Sequence, residues 1–103
     1  MSVIKLDGRL SLETVTNFLQ VMRPENASSL ILDMSGVNFL DSAGVGALVQ
    51  IFVHRRSKSQ KFALAALTTQ GNAVMTVAGL LKYLPAFATV AEAMRDQAQA
   101  PPA

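Results

Sequence analysis

Residues 39–46 read FLDSAGVG, with an acid, Asp41, and a hydroxyl, Ser42, at the seam between two apolar segments, followed by Gly44 and Gly46. Four kinds of chemistry could use such a cluster. A nucleophilic serine needs a sharp Gly-x-Ser-x-Gly turn and a base within reach. Here position 40 is Leu, and the one histidine, His54, lies twelve residues further along the same predicted helix, about 18 Å away. That spacing excludes a Ser-His pair and leaves His54 as an exposed helix residue. A phosphate-binding loop needs Gly-x-x-x-x-Gly-Lys-Ser/Thr, which is absent, although a helix start rich in small residues is still a weak anion site. Helix capping is the structural alternative, because Asp and Ser oxygens accept the first backbone N–H groups and glycines let a helix approach a strand. The fourth chemistry is phosphorylation. A phosphate on Ser42 adds about −1.5 to −2 charges beside Asp41, and the helix dipole offsets part of it. The domain can stay folded while a partner docked over the seam meets new charge and bulk, which suits the layout better than catalysis.

The elements that position the seam follow from periodicity. Residues 2–6 (SVIKL) predict a strand ended by a turn at Asp7-Gly8. Ser11 is placed to cap a helix with Glu13 in its first turn and Leu12, Val15, Phe18, Leu19 and Met22 as its apolar face, closed by Pro24 and Asn26. Residues 29–34 (SLILDM) are apolar on both faces, as in an interior strand. Ser42 then caps a helix to about residue 59, with Val45, Leu48, Val49, Phe52 and Val53 as its stripe and Gln50, His54, Ser57 and Lys58 on the polar side. A third strand at 61–67, a short helix at 72–78 stopped near Gly79, an extended edge segment at 84–88 and a terminal helix opened by Thr89 and Glu92 complete the order. Alternation of strand and helix four times implies an α/β fold with a mainly parallel sheet.

The chain of 103 residues fits one domain over 1–98, with 99–103 (QAPPA closing the sequence) read as a tail. There is no cysteine, so neither a disulfide framework nor a thiolate metal site is available, and no metal or cofactor is expected. The absence suits a reducing cytoplasm. Net charge is only +2. The basic cluster Arg55, Arg56, Lys58 and Lys61 sits where a helix ends, which favours the dipole rather than nucleic acid as its partner. No stretch is long enough for a membrane span, and no signal peptide is visible.

The stretch LILDMSGVNFLDSAGVGAL resembles the signature of the STAS domain, specifically of bacterial anti-sigma factor antagonists. Gly8-Arg9-Leu10 is similar to the family's Gly-Glu-Leu, and Ala78-Gly79-Leu80 to its Ser-Gly-Leu. The resemblance runs in order along nearly the whole chain. It implies a mostly parallel or mixed sheet of about four strands flanked by about four helices, and a non-enzymatic role in partner switching. The unphosphorylated antagonist binds an anti-sigma factor, often itself a serine kinase, and frees the sigma factor; phosphorylation ends that binding and a phosphatase restores it. Carried onto this chain, the phosphoacceptor is Ser42, and the partner-binding residues are Arg9, Ser11, Asp41, Ser42, Gly44 and Gly46. Three departures stand out. The family's first strand has no counterpart, which implies an exposed sheet edge open to homodimerisation. Arg9 and Ser11 replace the usual Glu and Asp, and Ala43 replaces a second serine. The other readings of the same surface are a scaffold subunit of a lipid-transport or stressosome-like assembly that needs no phosphorylation, and a weak nucleotide-binding module.

Overall fold

Each strand of the chain pairs with the one that follows it in sequence. The computed structural model describes residues 1–98; the predicted tail at 99–103 lies outside them. The order is β1 (Ser2–Leu10), α1 (Val15–Met22), β2 (Ser29–Leu40), α2 (Ser42–Ser57), β3 (Lys61–Ala65), α3 (Thr69–Val77), β4 (Ala86–Phe87) and α4 (Val90–Ala98). The strands lie in the sheet as β1-β2-β3-β4, and all three pairings are parallel.

The two faces of the sheet are packed unequally, and the strand sequences show why. Leu30, Leu32 and Met34 of β2 join Phe62 and Leu64 of β3 in the larger core, against Phe18 and Met22 of α1, Leu48 and Ile51 of α2 and Met75 of α3. The alternate residues Ile31, Ala63 and Ala65 face the other way, against Ala93 of α4. The alanines at 63 and 65, which in isolation also suit a helix, are the small side chains that let α4 lie close to the sheet. Both apolar faces of residues 30–32 are thereby buried, as an interior parallel strand requires.

Two strands run further than the sequence suggests. The predicted turn at Asp7-Gly8 is instead strand: Gly8 takes φ +89°, a conformation open to glycine, and β1 continues to Leu10. β2 runs on to Leu40 and keeps alongside β1 through two irregularities. Between the pairs Lys5↔Asp33 and Arg9↔Phe39, β2 uses two residues more than β1. The tight spot is Gly36, where a Cβ would meet Asp7 Oδ1 and the Leu6 carbonyl.

Helix ends also differ in detail. α1 starts at Val15, with Thr14 as N-cap and Thr14 Oγ1 donating to the Arg9 carbonyl. Leu12, expected on the apolar face, lies before the helix and is 74% exposed. α3 starts at Thr69, three residues earlier than predicted, capped by Thr68 Oγ1 accepting from Gly71 N. Its end matches the expectation for Gly79. That residue has φ +71°, its N–H donates to the Thr76 carbonyl, and Leu80 N donates to the Met75 carbonyl. Thr89 Oγ1 accepts from Glu92 N at the start of α4.

The basic cluster is divided by the fold. Arg55 is buried, and its guanidinium donates to the carbonyls of Glu25, Ala27 and Lys61, tying the end of α2 to the α1–β2 connection and to β3. Lys61 Nζ donates to the carbonyl of Gln97 in α4. The cluster is therefore partly a structural clamp, beyond the dipole role read from sequence.

Candidate functional site at the start of α2

Parallel strands end on one side of the sheet, and the seam lies there, where β1 and β2 finish together at the register pair Leu10↔Leu40. Such carboxyl ends are where open α/β sheets present their binding surfaces. Asp41 is the N-cap of α2: its Oδ1 accepts from Gly44 N at 2.9 Å. Its Oδ2 accepts from Leu12 N at 3.1 Å, so one carboxylate joins the end of β1 to the start of α2. The Gly44 N–H, above all, holds the Asp41 carboxyl below the usual carboxylate range against a smaller opposing effect of burial. The N–H groups of Leu12 and Ala43 and the charge of Arg9 act in the same direction. The cap predicted at Ser42 thus belongs to Asp41. Ser42 is the first helical residue and is exposed.

The six residues singled out from sequence separate into surface and support. Arg9 is exposed and lies over the ring of Phe39, 4.4 Å from its centroid. Asp41 is half-buried, and Ser42 and Gly46 are exposed. Gly44, expected on the docking surface, is buried: a Cβ there would stand 2.2 Å from the Leu10 carbonyl, so glycine is needed for α2 to reach β1. Ser11, expected both as a cap and as a partner contact, is 2% exposed, and among the described residues its Oγ has no hydrogen-bond partner. Both residues support the site from inside. Gly46 has open space around a built Cβ, so packing does not demand glycine there.

Three further residues belong to the site and were not singled out. Gln70 of α3 accepts from Leu40 N at 2.9 Å and donates to the Leu40 carbonyl at 2.8 Å, fixing the strand end directly before Asp41. Leu12 places an exposed leucine beside the Asp41 carboxylate. Val77 is 89% exposed and, with Val45, Ala73, Val74 and Ala78, lines an apolar groove of about 400 Å³ between α2 and α3. Ser42 stands on the rim of that groove. The reach of Gln70 to β2 depends on α3 beginning at Thr69, and Leu12 lies before α1 rather than on its apolar face.

Among the described residues no group of three or more His, Cys, Asp or Glu side chains could hold a metal ion. No helix there is long and apolar enough to cross a membrane. His54 is exposed on the far part of α2. The seam therefore brings together an exposed hydroxyl, a fixed carboxylate, a helix N-terminus and an apolar groove.

Comparison with known proteins agrees with this geometry. A family model described as the STAS domain matches residues 1–93. The fold is similar to that of a Thermotoga maritima protein assigned as an anti-sigma factor antagonist, with TM-score 0.84 and 24% identity, over 91% of this chain and 86% of that one. It is also similar to the anti-sigma factor antagonist SpoIIAA in its unphosphorylated form, with TM-score 0.73 and 21% identity, over 97% and 91% of the two chains. The STAS domain of a SulP transporter from Vibrio cholerae gives TM-score 0.71 and 19% identity, over 95% and 84%. At these identities the likeness is one of fold. With the family match spanning most of its length, the chain belongs to the STAS domain family.

Proposed function

We propose that the protein is an anti-sigma factor antagonist that acts by partner switching, with Ser42 as its phosphoacceptor. The observation that carries this reading is the position of Ser42, an exposed hydroxyl on the first turn of α2 at the rim of the apolar groove. In the unphosphorylated state an anti-sigma factor docks over the groove and covers Val45, Val74 and Val77, releasing its sigma factor. The exposed Arg9, Leu12, Asp41 and Gly46 form the polar and apolar margin of that contact. Where the anti-sigma factor is a serine kinase, it transfers the γ-phosphoryl group of its ATP to Ser42 Oγ, leaving ADP, while the hydroxyl proton passes to a base of the kinase. ATP, Mg²⁺ and the catalytic groups belong to the kinase; this chain supplies only the acceptor and the surface, and acts in the cytoplasm.

The consequence of phosphorylation follows from the cap. Asp41 already engages the N–H groups of Gly44 and Leu12, so a phosphate at the first helical position adds charge without displacing it. The helix dipole offsets part of that charge, and the fold survives. A partner over the groove must instead desolvate a dianion beside a carboxylate, which is costly without a matching cation. Hydrolysis of the phosphoserine by a phosphatase restores the neutral rim. Self-association along the outer edge of β1 leaves the groove itself open, because groove and edge belong to different elements and only Arg9 of the docking margin lies on β1.

A second reading has specific support in the fold shared with the SulP transporter STAS domain: the same groove docks a partner constitutively, without phosphorylation. The two separate in one experiment. The protein is incubated with lysate of its source organism and Mg-ATP, and its intact mass is compared with that of Ser42→Ala. The switch predicts a gain of one phosphoryl group by the wild type alone. No gain, in a lysate whose kinases phosphorylate a control substrate, favours constitutive docking.

A further inference from the structure

We infer that the outer edge of β1 pairs with β1 of a second copy, antiparallel about a two-fold axis at Leu6. The inference is independent of the switch at Ser42, since it rests on a different part of the molecule.

β1 is the last strand on its side of the sheet, nine residues long, and among the described residues it pairs only with β2. A long open edge is a template for another strand. Its residues alternate cleanly. Val3, Lys5, Asp7 and Arg9 are exposed on one face, while Ile4 and Leu6 are half-buried on the other and pack against the larger core. On that apolar face Ile4 and Leu6 border a cleft of about 340 Å³ shared with Phe18 and Val21 of α1, and Val21 is 56% exposed. The apolar side of the edge is thus incompletely covered by the described residues.

Charge selects both the partner and the register. An axis at Lys5 sets Lys5 against the second copy's Lys5. An axis at Asp7 sets Asp7 against Asp7 and Lys5 against Arg9. An axis at Ile4 sets Lys5 against Val3 and overlaps only residues 2–6 of β1. An axis at Gly8 sets Asp7 against Arg9 but overlaps only residues 6–10, whereas Leu6 is the midpoint of the strand. An axis between residues opposes polar positions to apolar ones. Only the axis at Leu6 sets Lys5 against the second copy's Asp7, and by symmetry does so twice. Opposite charges directly across a strand pair are favourable and like charges are not. The same register puts Leu6 against Leu6 over the apolar cleft and Ile4 against the small Gly8. Such an isologous contact closes at two copies and extends the sheet from four strands to eight.

The test uses charge exchange and a register-specific cross-link. In sedimentation velocity the wild type is expected to shift from monomer to dimer as concentration rises, less so at high salt. Lys5→Glu is expected to remain monomeric, and Lys5→Glu with Asp7→Lys to dimerise again. The chain has no cysteine, so Leu6→Cys is expected to give a disulfide-linked dimer on mild oxidation, because opposed Cα atoms in an antiparallel pair are about 4.5–5.5 Å apart. Ile4→Cys is expected not to, its two copies lying about 13 Å apart along the strand. A wild type that stays monomeric at every concentration overturns the pairing. So does a folded Lys5→Glu that dimerises as the wild type does. Failure of the double exchange to restore dimer, or cross-linking at Ile4 rather than Leu6, overturns the register. Should Lys5→Glu not fold, the cysteine pair still decides, since it leaves every charge in place.

Discussion

The carbonyl oxygen of Leu10 occupies the place where a side chain on Gly44 would begin, 2.2 Å from a built Cβ. This contact sets how closely α2 approaches the end of β1, and with it the position of Asp41 and Ser42. Gly44→Ala is therefore expected to destabilise the fold by about 1–3 kcal/mol, as overpacking does, and to weaken partner docking. Gly46→Ala, with open space around it in a helical position, is expected to stabilise by about 0.5–1 kcal/mol. Chemical denaturation of the two variants checks the contrast.

Asp41 supplies a pH dependence whose sign follows from its hydrogen bonds. Its carboxyl is held below the ordinary range, first by the Gly44 N–H. A carboxyl lowered on folding stabilises above its unfolded pKa, and that contribution disappears as pH falls through the folded value. The cap therefore acts fully at neutral pH and begins to fail near the unfolded value of about 3.9. Asp41→Asn is expected to have the lower Tm at neutral pH, with the difference narrowing on acidification. A Tm series against pH for both proteins measures it.

Arg55 is a buried cation whose role is to serve carbonyls. It donates to those of Glu25, Ala27 and Lys61, and burial pushes its pKa down from the usual guanidinium value. Arg55→Leu leaves these acceptors without their donor and is expected to cost about 1–3 kcal/mol. Arg55→Lys is expected to recover only part of this, because an ammonium cannot reproduce the planar fork. Urea unfolding of the three proteins ranks them.

On α2 the deepest apolar contact is Leu48, fully buried, while its neighbour Val49 is only partly so. Leu48→Ala is expected to cost about 2–5 kcal/mol and Val49→Ala clearly less. Equal losses in thermal denaturation would mean that a different face of the helix meets the sheet.

The alternation of strands and helices was legible because each buried strand is a short apolar run and each helix carries a stripe. Residues 30–32 and 61–65 show it best. The extent of β1 and β2 was not, because Gly8 and Gly36 look like turn residues when the strand that accommodates them is not in view. Their roles depend on register and on the close approach of Asp7 to Gly36. The same holds at the site. Asp41 and Ser42 stood out by residue type, yet which of them caps the helix depends on backbone geometry. Whether Gly44 and Ser11 face outward or inward depends on the approach of α2 to β1. Gln70 bridges 30 residues of sequence to reach Leu40, a distance at which local pattern carries no signal.

Phosphate on Ser42 is expected to end docking while leaving the fold intact. This is tested most directly by calorimetric titration of the anti-sigma partner with unmodified protein and with protein carrying phosphoserine at position 42, alongside far-UV circular dichroism of both. Superimposable spectra are expected, with at least tenfold weaker binding of the phosphorylated form, about 1.4 kcal/mol or more. Equal affinities for the two forms, with both folded, would contradict the switch at Ser42.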